Sequence, residues 1–270
     1  IIGKDIDLFI AVTNMDNVNL ISTLMAESVL NIRRKFVRLQ NHFFGDSSIK
    51  EKLDIDMMIF PISLTSKSIA SLLEYPKANN VKFFKYTDYK LLSLRASHKL
   101  SPLDITSNRF AIVGIERDKE FIIPSKTQQI KPNDLVYFFG LEKDIEDVSA
   151  LLESADSSMI EKCVVFGGGE LAISISKALI EIGRSVKLIE KDIKLCKRAD
   201  EELKGKVSVI HSRYNTTDLF EDENLKNADI FIAATNNDEY NIIKCLEAQE
   251  NGIDKVLAIN NEMEYYNLMH

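Results

Sequence analysis

The apolar positions of the last 110 or so residues alternate between two spacings. Residues 162–166 form a short apolar run, the pattern of a buried strand. From Glu170 the apolar residues Leu171, Ile175, Leu179 and Ile182 recur at helical spacing, and Gly183 follows as a helix stop. Residues 185–189 predict a second strand, with Asp192 placed to cap a helix that runs to about Leu203. Residues 207–210, 229–233 and 255–259 predict three more strands. A helix over 237–250 precedes the last of these and stops near Gly252. Strands that alternate with helices predict βαβ crossovers and a parallel sheet covered on both faces.

Part of this pattern occurs twice. Residues 7–19, DLFIAVTNMDNVN, reappear 222 positions later as DIFIAATNNDEYN, residues 229–241. Asp7, Phe9, Ile10, Ala11, Thr13, Asn14, Asp16 and Asn19 recur as Asp229, Phe231, Ile232, Ala233, Thr235, Asn236, Asp238 and Asn241. Each copy continues with a helical stretch and a short apolar strand, 36–39 or 256–259, then Asn41 or Asn261. A shift this long marks a duplicated domain rather than a solenoid, whose repeats run about 20–50 residues. The chain therefore reads as an internal fragment that opens midway through copy one and ends just short of the end of copy two. Copy one adds a strand at 56–60, ended by Pro61, and a helix over about 64–73. Between the copies the pattern changes to short strands at 81–86, 90–95, 110–116, 120–123 and 135–140, then a helix over 144–152. Asp118-Lys119 lies between two apolar runs as a hairpin turn. The expected fold class is α/β: two Rossmann-like doubly wound parallel sheets, one partial and one nearly complete, separated by a small α+β module. The expected domains are residues 1–75, 76–157 and 158–270.

Composition narrows the partners. Of the 270 residues 45% are hydrophobic, enough for substantial cores, and the net charge is −7. An acidic surface repels phosphates, so nucleic acid and anionic lipid are not expected partners. No apolar run approaches the roughly 18 residues of a membrane span, so direct membrane insertion is not expected. Cys163, Cys196 and Cys245 are widely spaced, with no CxxC, which argues against a disulfide framework or zinc site and suits a reducing cytoplasm.

The sharpest chemical motif is Gly167-Gly168-Gly169-Glu170-Leu171-Ala172, between a strand and a helix. Gly167 permits the tight turn, Gly169 lets backbone approach a pyrophosphate, and Ala172 allows close helix–strand packing. Phosphates would sit on N–H groups at the helix N-terminus. Glu190 closes the second strand, 21 residues after Gly169, where an acid binds a ribose hydroxyl and disfavours a 2′-phosphate. The competing reading keeps the glycines for packing alone. Ala234, Thr235 and Asn236, with Thr13 and Asn14 in copy one, lie at the carboxyl ends of their strands, where open α/β sheets bind ligands. Thr235 and Asn236 either touch the nucleotide or cap the following helix. A lone His211 after the third strand reads as structural, and no catalytic cluster emerges in the middle module.

These motifs together resemble the Trk-type regulators of bacterial potassium uptake, a family of tandem regulator-of-potassium-conductance (RCK) domains. The resemblance rests on VVFGGGELA (164–172), KLIEKD (187–192), the repeated DIFIAATNNDEYN element and the stretch 109–140. It implies a non-enzymatic, cytoplasmic regulatory subunit, peripheral at the inner face of the membrane. Its implied ligands are NAD/NADH or ATP/ADP, and its implied partners are a membrane potassium-translocating subunit and further copies of itself, as a dimer or tetramer. An NAD-dependent oxidoreductase and a structural assembly module without active nucleotide sites are the alternatives. In the family a Gly-Asp pair follows the third strand, where this chain has Ser212 and Arg213. Family arginines on the fifth strand correspond to Arg38 and, replaced, Gln40 in copy one, and to Ala258 and Asn260 in copy two. Arg38 is therefore the expected phosphate contact of copy one.

Overall fold

The computed structural model describes residues 5–45, 47–74, 78–84, 87–97, 110–125, 128–141, 144, 160–212, 220–221 and 223–261. The chain divides into two compact units, Ile1–Lys67 and Ser68–His270.

In the first unit the elements are β1 (Asp5–Ile6), β2 (Phe9–Ala11), α1 (Asp16–Val29), β3 (Asn31–Ile32), β4 (Lys35–Arg38), α2 (Ser47–Lys52) and β5 (Met57–Ile59). Helix α3 (Pro61–Glu74) spans the division. Pro61 does not merely end the strand before it. It is the first residue of α3, where its missing N–H costs nothing. Strands β2, β4 and β5 form a parallel sheet in that order, and β1 pairs in parallel with β3. Ala11, Leu20, Val37, Leu39 and Ile55 form the core on this sheet. Lys35 is buried in β4, and its ammonium is held by Glu27 and Asp54, each at 2.7 Å.

The second unit opens with the antiparallel module: β6 (Ala78–Phe83), β7 (Tyr89–Arg95), β8 (Phe110–Arg117), β9 (Glu120–Ile122) and β10 (Leu135–Leu141), in sheet order β6-β7-β10-β8-β9. Along β10, Val136 and Phe138 are buried with Leu92, Leu94, Ile115 and Ile130, while Tyr137 and Phe139 are half-buried on the other face. Strands β8 and β9 join through Asp118 and Lys119, with φ of 52° and 67°. Two left-handed residues match the twist of a hairpin, so the turn forms without glycine. The conformation is strained at Lys119. Arg117 grips Asp134 through two bonds, Nε to Oδ1 at 2.7 Å and Nη2 to Oδ2 at 2.6 Å, which ties this hairpin to the Lys131–Asp134 turn. Of the expected helix at 144–152, Asp144 is helical and the rest lies outside the described residues.

The sheet that carries the glycine motif follows: β11 (Lys162–Phe166), α4 (Glu170–Glu181), β12 (Ser185–Glu190), α5 (Ile193–Leu203), β13 (Ser208–His211), β14 (Ile230–Ala233), α6 (Asp238–Glu250) and β15 (Val256–Ala258). All pairs are parallel, in the order β13-β12-β11-β14-β15. This bears out the Rossmann-like expectation. Central β11 is buried on both sides. Cys163 and Val165 join a core with Ala172, Leu179, Leu188 and Ala199, whereas Val164 and Phe166 join another with Ile189, Phe231 and Ala248. A strand buried on both faces has no polar side, hence its unbroken apolar run. Ile69 and Leu73, from the second half of α3, also belong to the first of these cores.

Candidate nucleotide site

The β11–α4 turn is built by three glycines with three different reasons to be glycine. Gly167 has φ of +120°, a conformation side chains rarely adopt, and a Cβ there would meet the Ala234 carbonyl at 2.9 Å. Its N–H donates to the Ile189 carbonyl at 2.8 Å, which fastens the turn to β12. A Cβ on Gly168 would strike Glu190 Cγ at 2.6 Å. Gly169 has ordinary extended angles, φ −72° and ψ 175°, and nothing within 4 Å of an added Cβ. Neither backbone conformation nor packing requires glycine there. The absent side chain leaves open the approach to the N-terminus of α4, whose first N–H groups have no partner within the helix.

The turn opens on a cavity of about 330 Å³ at the carboxyl edge of the sheet. Gly167, Gly168, Gly169, Glu190, Ala234, Thr235 and Asn236 line it, so the structure brings together most of the expected residues of this copy. Two expected residues are not on its wall. The Glu170 carboxylate pairs with Arg198 at 3.0 Å, and Leu171 packs against the core. Lys191, Leu195, Asn237 and Tyr240 also line the cavity and had no sequence signal of their own. The sequence predicts a helix over 237–250 but not that Tyr240, in its first turn, lines the cavity beside Lys191.

Glu190 is buried, and its carboxylate accepts three backbone N–H bonds. Oε1 takes Lys191 and Asp192 at 2.7 Å each, and Oε2 takes Gly168 at 2.5 Å. A carboxylate has about four acceptor positions, and these three bonds use most of them. The same bonds shape the turn. Thr235 and Asn241 are bound to each other: the Thr235 N–H and hydroxyl both donate to Asn241 Oδ1, at 3.0 and 2.6 Å. Asn241 Nδ2 donates to the carbonyls of Thr235 and Ile259. The residue that caps α6 is Asn237, through its bond from the Tyr240 N–H at 2.6 Å, and not Thr235 or Asn236. His211 Nε2 donates to the Lys191 carbonyl at 2.9 Å, a structural bond. Burial pushes the Cys163 thiol to about 12 and Cys245 to about 11, so neither is a nucleophile near neutral pH. Burial, then the charges of Glu247 and Glu190, raise the Tyr240 phenol, which stays protonated. Among the described residues no group of three or more His, Cys, Asp or Glu could hold a metal ion. Among them, too, no helix is long and apolar enough to cross a membrane.

Comparison with known families matches this site and the module before it. Residues 163–270 match the TrkA-N domain and residues 96–153 the TrkA-C domain. The chain carries a TrkA-C and a TrkA-N domain. It is 29% identical over 279 residues to the Trk system potassium uptake protein TrkA of Halomonas elongata, covering 98% of this chain and 60% of that protein. It is 27% identical to the TrkA of Vibrio alginolyticus over 99% of this chain and 60% of the relative. The chain thus spans about 60% of the length of these relatives. The fold is that of the GsuK RCK domain, with a TM-score of 0.66 at 13% identity over 97% of this chain and 56% of the other. A GsuK channel bound to NAD gives 0.60 at 12% identity over 98% and 50%.

The first unit repeats the bonding of the TrkA-N domain in detail. The Thr13 N–H and hydroxyl donate to Asn19 Oδ1 at 2.8 and 2.7 Å, and Asn19 Nδ2 donates to the carbonyls of Thr13 and Arg38. Asp16 accepts the N–H groups of Gln40 and Asn41, as Asp238 accepts the N–H of Asn261. These bonds settle the register of the last matched strand. Asn19 reaches Arg38 where Asn241 reaches Ile259, a shift of 221 and not 222, because α1 has 14 residues and α6 has 13. The counterpart of Arg38 is therefore Ile259 rather than Ala258, and that of Gln40 is Asn261 rather than Asn260. Thr13, Asn14 and Arg38 do come together: Arg38 Nη1 donates to Asn14 Oδ1 at 3.3 Å, and Arg38 Nε is buried without a partner among the described residues. Arg213 lies outside those residues.

Proposed function

We propose that this chain is part of a cytoplasmic, nucleotide-sensing regulatory subunit that gates a membrane potassium-translocating partner. The residues 1–75, 76–157 and 158–270 would be its RCK domains: part of one N-domain, a C-domain and a second N-domain. The observation that carries the reading is Gly169: a glycine that neither angle nor packing demands, at the helix N-terminus facing the cavity. The relatives named TrkA belong to potassium uptake systems, which supplies the transported ion. The GsuK channel was solved with NAD, which puts NAD/NADH ahead of ATP/ADP as the ligand. The subunit would act as a dimer or tetramer and shift between states for which the nucleotide has unequal affinity. Calorimetric titration with NADH, NAD, ATP and ADP tests it: saturable binding of one of them is expected.

One observation favours a second reading, a structural module without an active site. The Gly168 N–H is already taken by Glu190, and the repeated Thr235, Asn241 and Asp238 serve the fold. That reading expects no saturable binding of any of the four.

A further inference from the structure

We propose that Tyr240 is the base-stacking platform of the second unit's cavity, so that this site holds a nucleotide by its adenine end rather than by phosphate charge. The inference rests on the nucleotide-binding reading above. Among the described residues that line the cavity, Lys191 is the one side-chain cation, and it stands beside two lining carboxylates, Glu190 and Asp192. Among the described lining residues the cradle at Gly169 therefore offers backbone N–H groups and no side-chain cation beyond Lys191. Such a wall does not favour a ligand rich in phosphate charge.

Tyr240 supplies what the phosphate end lacks. Its ring is half-buried on the cavity wall and is backed by the buried Phe166 ring at 5.8 Å. The Lys244 ammonium is 5.4 Å from the ring centroid, and the Lys191 ammonium, on the cavity wall, is 5.9 Å from it. An aromatic ring packed against another ring and held between two ammonium groups is fixed in place, and its flat face on the cavity is a surface a purine can stack on. Glu190 lines the same cavity as Tyr240, so a base on Tyr240 shares that cavity with the acid expected to meet the ribose. The first unit is built the other way. Val18 occupies the position that matches Tyr240, while Arg38 has only apolar Ile259 as its counterpart. One copy carries the aromatic ring and the other the cation.

The test is titration calorimetry on the 270-residue chain with NADH, adenosine monophosphate, adenosine and nicotinamide mononucleotide. Adenosine and its monophosphate are expected to bind and to displace NADH, and nicotinamide mononucleotide is not. Tyr240→Leu, which keeps apolar bulk, should weaken NADH about tenfold or more, the size of a lost base–aromatic stack. Tyr240→Phe should bind within about twofold of wild type, because the ring and not the hydroxyl does the holding. Unchanged NADH binding by Tyr240→Leu overturns the platform and leaves nucleotide binding standing. So does a Phe variant as weak as the Leu variant, or mononucleotide binding that favours nicotinamide over adenine. The comparison of mononucleotides needs no variant, so it holds even if a substitution disturbs the fold. Failure of wild type to bind any of the four overturns both this inference and the reading beneath it.

Discussion

At the scale of single residues, the three glycines of the β11–α4 turn separate fold from ligand. Gly167→Ala forces a side chain into a positive-φ position against the Ala234 carbonyl. It should lower stability by about 1–3 kcal/mol, read as a reduced melting temperature. Gly168→Ala collides with Glu190 and should also destabilise. Gly169→Val meets open space and β-compatible angles, so it should melt like wild type while its methyl groups fill the phosphate position. A second pair tests the repeat. Asn241→Ala strands the Thr235 N–H and the Ile259 carbonyl, and Asn19→Ala does the same to Thr13 and Arg38. Each should cost about 2–4 kcal/mol in chemical denaturation. If Asn241→Ala instead abolished nucleotide binding at unchanged stability, the structural role would be wrong. The glycine turn was legible because its geometry is encoded within six consecutive residues. The role of the repeated Asn was not, since its partner carbonyl lies 18 residues on and across the sheet. Tyr240 was hidden for the same reason: nothing in its own helix says which strand end it faces.

At the scale of elements, the hairpin of the antiparallel module stores strain at Lys119 and support at Arg117. Lys119→Gly relieves a left-handed residue and should stabilise by about 0.5–1 kcal/mol after the entropy of glycine is counted. A higher midpoint in thermal unfolding checks it. The Arg117 guanidinium, and the Lys131 N–H after it, hold the Asp134 carboxyl below its usual range, against the opposing effect of burial. A depressed folded pKa contributes stability that is present above the unfolded value, near about 3.9, and lost as pH falls through the folded one. Unfolding midpoints measured from pH 6 downward should therefore fall in acid below about pH 4. Asp134→Asn should lower the midpoint at pH 6 and flatten that fall. The elements themselves were largely legible, because helix and strand periodicities are strong over β11 to β15. The misjudged places were local. Pro61 starts α3 instead of only ending a strand, and β6 begins at Ala78, three residues before its apolar run.

At the scale of the whole molecule, the duplicated parallel sheet comes in two copies that are chemically unequal: Tyr240 and the open glycine turn in one, Arg38 in the other. Ligand should stabilise the chain by mass action: at about 100 times its dissociation constant the gain is about 2.7 kcal/mol, visible as a rise in melting temperature. The duplication was legible from identical residues, but the one-residue shift between α1 and α6 was not, because only the hydrogen bonds of Asn19 and Asn241 fix the register of the strand that follows. The central claim is that the cavity beside Gly169 binds a nucleotide. Titration of NADH into wild type and Gly169→Val, with melting curves of both, tests it most directly. Saturable binding to wild type, with none to a Gly169→Val chain that melts at the same temperature, is the predicted result. Equal binding by the two chains, or none by wild type, would contradict it.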